Sequence, residues 1–296
     1  MMTRIGNKKM ERVEFGLFTL PAVICVLFAF FIPFLMSMGY SFTEWNGIQK
    51  SPTFIGLDNF KQIFSRDANF IDSSLFTLKY SVLYIILVNA IAILLAIMLD
   101  QKLRTSTFLR TVFFIPYIIS LIIVGFIWKF IFAQGFASLS TLTGLAVFDL
   151  SWLGEPRLAF LSILAVSIWQ SIGFYIVIYI AGLQAIPMEL LEAATVDGAG
   201  PMRKFFTIML PLLAPAITIS VFMALTNALK VFDIILSLTG GGPGGSSYSI
   251  TLDIYRDTFQ NNRYGYGTAK ALLLFVAILL ITIVQLRYFK SKEVEA

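Results

Sequence analysis

Apolar positions along this chain do not alternate with polar ones at the spacing of a soluble helix or strand. They come in long runs without a single charge, over 15–43, 80–99, 111–128, 158–188, 205–229 and 271–286. A helix needs about 20 residues to cross the hydrocarbon core of a bilayer. The runs therefore predict six membrane-spanning helices in an all-α, polytopic membrane protein. The last run is short, but Lys270 can snorkel toward the interface and Tyr264 and Tyr266 can sit there. Between the first two runs, Gly56–Phe64 reads as a short amphipathic helix on the outer surface, with Leu57, Phe60, Ile63 and Phe64 on one face. Leu238 to Ser247 concentrates Gly and Pro and predicts a loop. Pro33, Pro116, Pro211 and Pro215 punctuate the spans, which lipid tolerates only where neighbouring helices satisfy the freed carbonyls.

Composition agrees with this reading. Of the 296 residues, 58% are hydrophobic and 13% charged, against about 45–50% and about 25% in a soluble domain. The charges also orient the chain. Segments 1–14, 100–110, 189–204 and 287–296 carry 12 Lys and Arg in 51 positions, whereas 44–79, 129–157 and 230–270 carry 10 in 106. Positive charge concentrates on the cytoplasmic side, so both termini are expected inside. The net charge of +5 is then topological bias and not a nucleic-acid footprint. The first run, 29 residues long, exceeds a signal-peptide core of roughly 7–15 residues and reads as a retained span. The chain has no His and a single Cys, Cys25. Cys25 reads as a small buried apolar residue, and a metal site or His-dependent catalysis is not expected.

The connection between the fourth and fifth runs carries the most information. From Pro187 to Pro215 it reads helix, break, helix. Pro187 suits a first turn, Glu189 and Glu192 favour the dipole there, Gly198 ends the helix and Pro201 opens the next. Ala193 and Ala194 offer a small surface for close approach, flanked by Glu192 and Asp197 as partners for a basic group. Such a short acidic helix fits a groove on another protein.

This segment resembles the EAA loop of permease subunits of binding-protein-dependent ABC importers. The pattern is Glu192-Ala193-Ala194, three residues, Gly198, nine residues, Ile208, one residue, Leu210-Pro211. Further resemblance to the carbohydrate-uptake branch, which includes the larger maltose-transporter permease, lies in Phe54–Phe60, Ala181–Pro187 and Phe232-Asp233 leading to Leu238–Pro243. The resemblance implies a type I importer permease with a MetI-like core. It divides the chain into an N-terminal part over 1–70, a core over 71–288 with the EAA loop at 187–211, and a tail over 289–296. It implies a second, homologous permease in a heterodimer, two ATPase subunits, an extracellular or periplasmic solute-binding protein and a carbohydrate substrate, in a bacterial plasma membrane. Glu192, Ala193, Ala194, Asp197, Gly198 and Ala199 would dock into an ATPase cleft, and Gly240, Gly241, Gly242 and Pro243 would meet the binding protein. No cofactor is expected on this chain; ATP and Mg would be bound by the partner ATPase.

The substrate path is read from polar groups inside spans, which usually face a bundle interior or a wet cavity. Gln170, Ser171, Phe174 and Asn227 are the expected lining, with Thr226, Lys230 and Asp233 nearby. Lys230 and Asp233, three residues apart, are expected to pair. Gly240 to Ser246 imitates a P-loop, but Ser246 stands where Lys is required, so no nucleotide site and no catalysis are expected. Rival readings are an importer of glycerol phosphate or another polar solute, a secondary transporter, which would need an ionisable residue at mid-membrane, and an integral membrane enzyme, which lacks the side chains.

Overall fold

A computed structural model describes residues 3–101 and 105–290. Met1 and Met2, the basic Lys102 and Arg104 used in the charge count, and residues 291–296 of the tail lie outside the described residues. Among the described residues, five helices are long and apolar enough to span a membrane, and a bent pair brings the number to six.

The chain forms two compact units. The first comprises Met1–Arg66 and Ile254–Leu273. Its helix α1 (Thr3–Val26) passes through a π-turn at Leu27–Phe31 into α2 (Ile32–Tyr40). The spanning part, Glu14–Tyr40, is unburied along its whole apolar window, and Cys25 is exposed on it, not buried as expected. A two-stranded hairpin follows, β1 (Thr43–Glu44) with β2 (Thr53–Phe54), antiparallel with Thr43 opposite Phe54. Helix α3 (Asp58–Arg66) is the short amphipathic helix, but its inner face differs from expectation. Ile63 is fully buried, whereas Leu57 and Phe64 are 58% and 66% exposed. The buried partner of Ile63 is polar: Asn59 donates from Nδ2 to the carbonyls of Ser41 and Thr43, at 3.0 and 2.9 Å. Satisfying those two carbonyls outweighs burying one more apolar side chain.

The second unit comprises Asp67–Asp253 and Leu274–Ala296. Helix α4 (Ala68–Leu99) is opened by Asp67, whose carboxylate accepts from the Phe70 amide at 2.9 Å. It begins twelve residues before the charge-free run at 80, because Asp72 and Lys79 do not interrupt a helix. The third span departs from expectation. Residues 111–128 are not one helix: α5 (Ser106–Ile118) ends after Pro116, Ile119 and Ser120 are extended with ψ of 137° and 132°, and a new helix starts at Leu121. It runs as α6 (Leu121–Phe130), a π-turn and α7 (Phe136–Thr143), and this is the span. Pro116 cannot donate backward, and no charge marks the break that follows.

Helix α8 (Pro156–Gln184) is the centre of this unit, with 72% of its apolar window buried. It packs against α4 and α5. Lipid gives no hydrophobic drive between helices, so small side chains and buried hydrogen bonds must hold them. At Gly173 an added Cβ would lie 2.2 Å from the carbonyl oxygen of Phe113 on α5. Tyr84 donates to Ser171 Oγ at 2.7 Å, and Tyr179 to Asn89 Oδ1 at 2.6 Å, both between α4 and α8. The helix α9 (Met188–Val196) follows. The fifth span is α10 (Pro201–Lys204), a π-turn at Phe205–Met209, α11 (Leu210–Leu212) and α12 (Ala214–Leu229). It bends by 70° at Leu213, between Pro211 and Pro215.

Helices α13 (Asp233–Leu238), α14 (Ile250–Tyr255) and α15 (Tyr264–Lys290) complete the chain. Lys270 does not snorkel. It is fully buried in the first unit and donates to Asp257 Oδ2 at 2.6 Å. Tyr266 is buried beside it.

The close approach at Gly173 predicts that Gly173→Ala destabilises the protein by about 1–3 kcal/mol, because backbone and not a movable side chain stands in the way. The purified variant in detergent should melt several degrees lower. Gly16→Ala, with nothing within 4 Å, should melt as the parent does.

Candidate functional site

The first candidate element is α9. Pro187 sits at its N-cap, one position before the helix, with ψ of 126°, and Glu189 occupies the first turn. The C-terminus closes with paired hydrogen bonds: Ala199 N–H to Ala194 O at 2.9 Å and Gly198 N–H to Thr195 O at 3.1 Å. This closure requires a left-handed residue, and Gly198 has φ of +72°. Lys204 Nζ then reaches back to Thr195 Oγ1 at 2.6 Å, tying α10 to the end of α9.

Burial separates the two alanines. Ala193 is exposed, whereas Ala194 is buried, so the helix does not present both as an outer surface. Glu192, Asp197 and Gly198 are exposed and Ala199 is half-buried. Glu192 and Asp197 make no ion pair among the described residues. Val196, 88% exposed, adds an apolar tip that the sequence reading passed over.

The second element is a cavity of about 480 Å³ in the second unit. It opens where helices are interrupted: at Ile119–Ser120 between α5 and α6, and at Lys230–Phe232 between α12 and α13. Gln170, Ser171 and Asn227 line it. Phe174 stands one ring behind, stacked on the lining Tyr117 with centroids 5.0 Å apart and planes at 19°. Gln170 Nε2 makes long contacts of 3.4 and 3.5 Å with the carbonyls of Tyr117 and Ile119, which the break leaves without helical donors.

Tyr80, Tyr84 and Tyr117 also line the cavity, and the sequence reading missed them. A signal for two of them exists: Ser73, Thr77, Tyr80 and Tyr84 recur every three or four residues on α4, and all four are buried. Lys230 and Asp233 line the same cavity without forming the expected pair. The i,i+3 geometry requires a continuous helix, and the backbone leaves the helical region at Phe232, with φ of −143°.

The third element is the glycine-rich loop. Gly240, Gly241 and Gly242 all have positive φ, of 63°, 104° and 74°. At Gly241 a Cβ would meet the Tyr248 ring at 1.9 Å, and the residue is buried; Gly240 is exposed, and Gly242 and Pro243 are half-buried. The loop is pinned, with Ser247 N–H donating to Gly241 O at 2.9 Å and Ser249 Oγ to Val231 O at 2.7 Å. Ile250 N–H donates to Thr77 Oγ1 on α4 at 2.9 Å.

The chain as a whole is similar to known proteins. Residues 88–292 match the family described as the binding-protein-dependent transport system inner membrane component. A probable permease protein of a transport system for starch degradation products, from Thermoanaerobacterium thermosulfurigenes, is 39% identical over 96% of each chain. A permease protein of a multiple sugar-binding transport system from Streptococcus mutans is 35% identical over 93% of this chain and 94% of the relative. A bacterial alginate ABC transporter, solved in complex with an alginate pentasaccharide-bound periplasmic protein, has a chain that superposes with a TM-score of 0.80 at 25% identity over 94% of both. With helices that span, a short helix capped between the fourth and fifth of them, and this match over most of its length, the chain belongs to the family of binding-protein-dependent transport system inner membrane components.

Proposed function

We propose that the chain is one of two permease subunits that together form the pathway of an ATP-driven sugar importer in a bacterial plasma membrane. The observation that carries this reading is α9: a two-turn helix with exposed Glu192 and Asp197 that make no ion pair among the described residues, locked at one end by Gly198 and tied to the fifth span through Lys204 and Thr195. With both termini inside, α9 is cytoplasmic and seats in a cleft of an ATPase subunit. Glu192, Ala193, Asp197 and Gly198 meet that surface, while Ala194 and Ala199 hold the cap. ATP and Mg belong to the ATPase; this chain carries no cofactor and no catalytic residue. Nucleotide-driven closure of the ATPase pair moves α9, and the short connection to α10 passes that movement to the fifth span.

The substrate class follows from the cavity. Sugar hydroxyls both donate and accept, which suits Gln170, Ser171 and Asn227, and the flat faces of a pyranose suit the tyrosines around them. The related permeases named for starch products and multiple sugars support the same class. An anionic substrate such as glycerol phosphate gains nothing from Lys230, because Asp233 lines the same cavity and offsets it. An external binding protein delivers the sugar, with the pinned loop at Gly240–Pro243 as its landing point beside a homologous second permease.

Two measurements test this. A β-branched residue at φ of +72° is strained by roughly 1–2 kcal/mol. Gly198→Val should therefore abolish substrate-stimulated ATP hydrolysis in the reconstituted complex, whereas Gly200→Ala, at φ of −69°, should retain it. Unchanged stimulation in Gly198→Val removes α9 from the coupling role. For the pathway, Gln170→Ala, Ser171→Ala, Phe174→Ala and Asn227→Ala should each lower sugar uptake several-fold while the ATPase subunits still co-purify. Normal uptake by all four would dismiss the cavity as the route.

A further inference from the structure

A second cavity, of about 580 Å³, lies wholly in the first unit, between the β1–β2 hairpin, α3 and the start of α15. No part of the pathway reading uses it. Its lining is dominated by amide and charged side chains: Glu44, Gln49, Gln62, Asn262 and Arg263, with the indole of Trp45. Volumes of about 300–1,000 Å³ are typical of small-ligand sites.

The walls are held from behind by hydrogen bonds and ring contacts. Asn59 fixes the strand carbonyls of Ser41 and Thr43. Asn46 Oδ1 accepts from the amides of Ile48 and Gln49, at 3.0 Å each, and shapes the hairpin turn. Trp45 stacks on Tyr40, with centroids 4.4 Å apart, and its carbonyl accepts from Gly265 N–H at 3.0 Å. On the opposite wall, the Arg263 guanidinium lies 3.9 Å over the Tyr266 ring. Its backbone amide donates to Asp257 O at 2.9 Å, and Asp257 is in turn bonded to the fully buried Lys270. Asn262 is the single non-glycine residue with positive φ among the described residues, at 51°; such outliers cluster at ligand clamps.

In front of this rigid frame the Arg263 guanidinium donates to Gln62 Oε1 at 3.3 Å, and other polar groups stand open. The side chains of Glu44, Gln49 and Asn262 make no hydrogen bond among the described residues. Asp58 is paired with Lys61 at 2.9 Å, which leaves Glu44 against Arg263, so neither an anion nor a cation is favoured. Amides, a carboxylate and a forked guanidinium match vicinal hydroxyls, each of which donates and accepts. We propose that this pocket is a binding site for neutral saccharide, separate from the transport pathway. It faces outside the cell if both termini are inside. Pre-formed walls lower the ordering cost of binding a small polar ligand.

The test uses the full chain in lipid nanodiscs and saturation-transfer NMR with maltotriose, cellotriose and raffinose. At least one trisaccharide should receive saturation from the parent protein, and Asn227→Ala, which lowers only the pathway's share, should leave a signal on which the pocket variants are then compared. Gln62→Ala combined with Asn262→Gly should weaken the signal about fivefold or more, as expected for the loss of hydrogen bonds from two side chains; glycine keeps the positive φ. Glu44→Gln, which preserves size, should weaken it also, which guards against a folding defect in the double variant. The proposal is overturned if none of the three sugars receives saturation, or if Asn227→Ala alone abolishes the signal. It is equally overturned if the pocket variants lose association with a binding protein while sugar saturation is unchanged, since the pocket would then serve a protein partner. Transport is not read in this assay, so its failure leaves the pathway reading intact.

Discussion

Helix α8 can be enclosed by its neighbours only because its sequence leaves room at the crossings. Gly173 lets the backbone of α5 approach so closely that a methyl group would collide, and Gly182 does the same near Leu213 and Ala216. In lipid, where burying an apolar side chain gains nothing, this proximity and the few buried hydrogen bonds are what fix one helix against another. Tyr84 with Ser171, and Tyr179 with Asn89, set the register of α4 against α8. Gln170 and Ser171 reach the cavity because α8 is held this way.

The cavity itself exists where helices stop. An unbroken helix satisfies its own backbone and presents only side chains. The interruptions at Ile119–Ser120 and Lys230–Phe232 release polar groups into the space they open, and an intramembrane break is tolerated only against protein or water. Lys230 and Asp233 fall on either side of one such break, which explains why two charges three residues apart face a common space without meeting.

Much of this was legible in the sequence because lipid imposes a crude, strong signal. Charge-free runs located five of the six spans, and the Gly198 cap and Pro201 start were readable from residue type alone. What escaped was decided by backbone geometry that composition does not encode. Residues 111–128 carry no charge, yet the helix breaks within them. Lys270 looked like an interfacial residue because its partner, Asp257, lies thirteen positions earlier across a turn. Ala193 and Ala194 are the same residue type, but the helix turns one out and the other in. Tyr80 and Tyr84 were visible as part of a polar stripe on α4, at a spacing that a search for charge-free runs does not weigh.

Among the described residues, π-turns interrupt otherwise α-helical stretches at Leu27–Phe31, Ile131–Gly135 and Phe205–Met209, and a further one, Arg256–Gln260, ends α14. Each holds one residue more than an α-turn can accept. An ordinary helix that loses a residue swings everything beyond it by about 100°, which in a packed span turns lipid-facing side chains inward. At a π-turn the loss is absorbed, because the surplus residue is the one removed and the helix beyond keeps its phase. The three that lie within a helix are therefore where the length of a span can drift by one during descent without rotating the surfaces that matter.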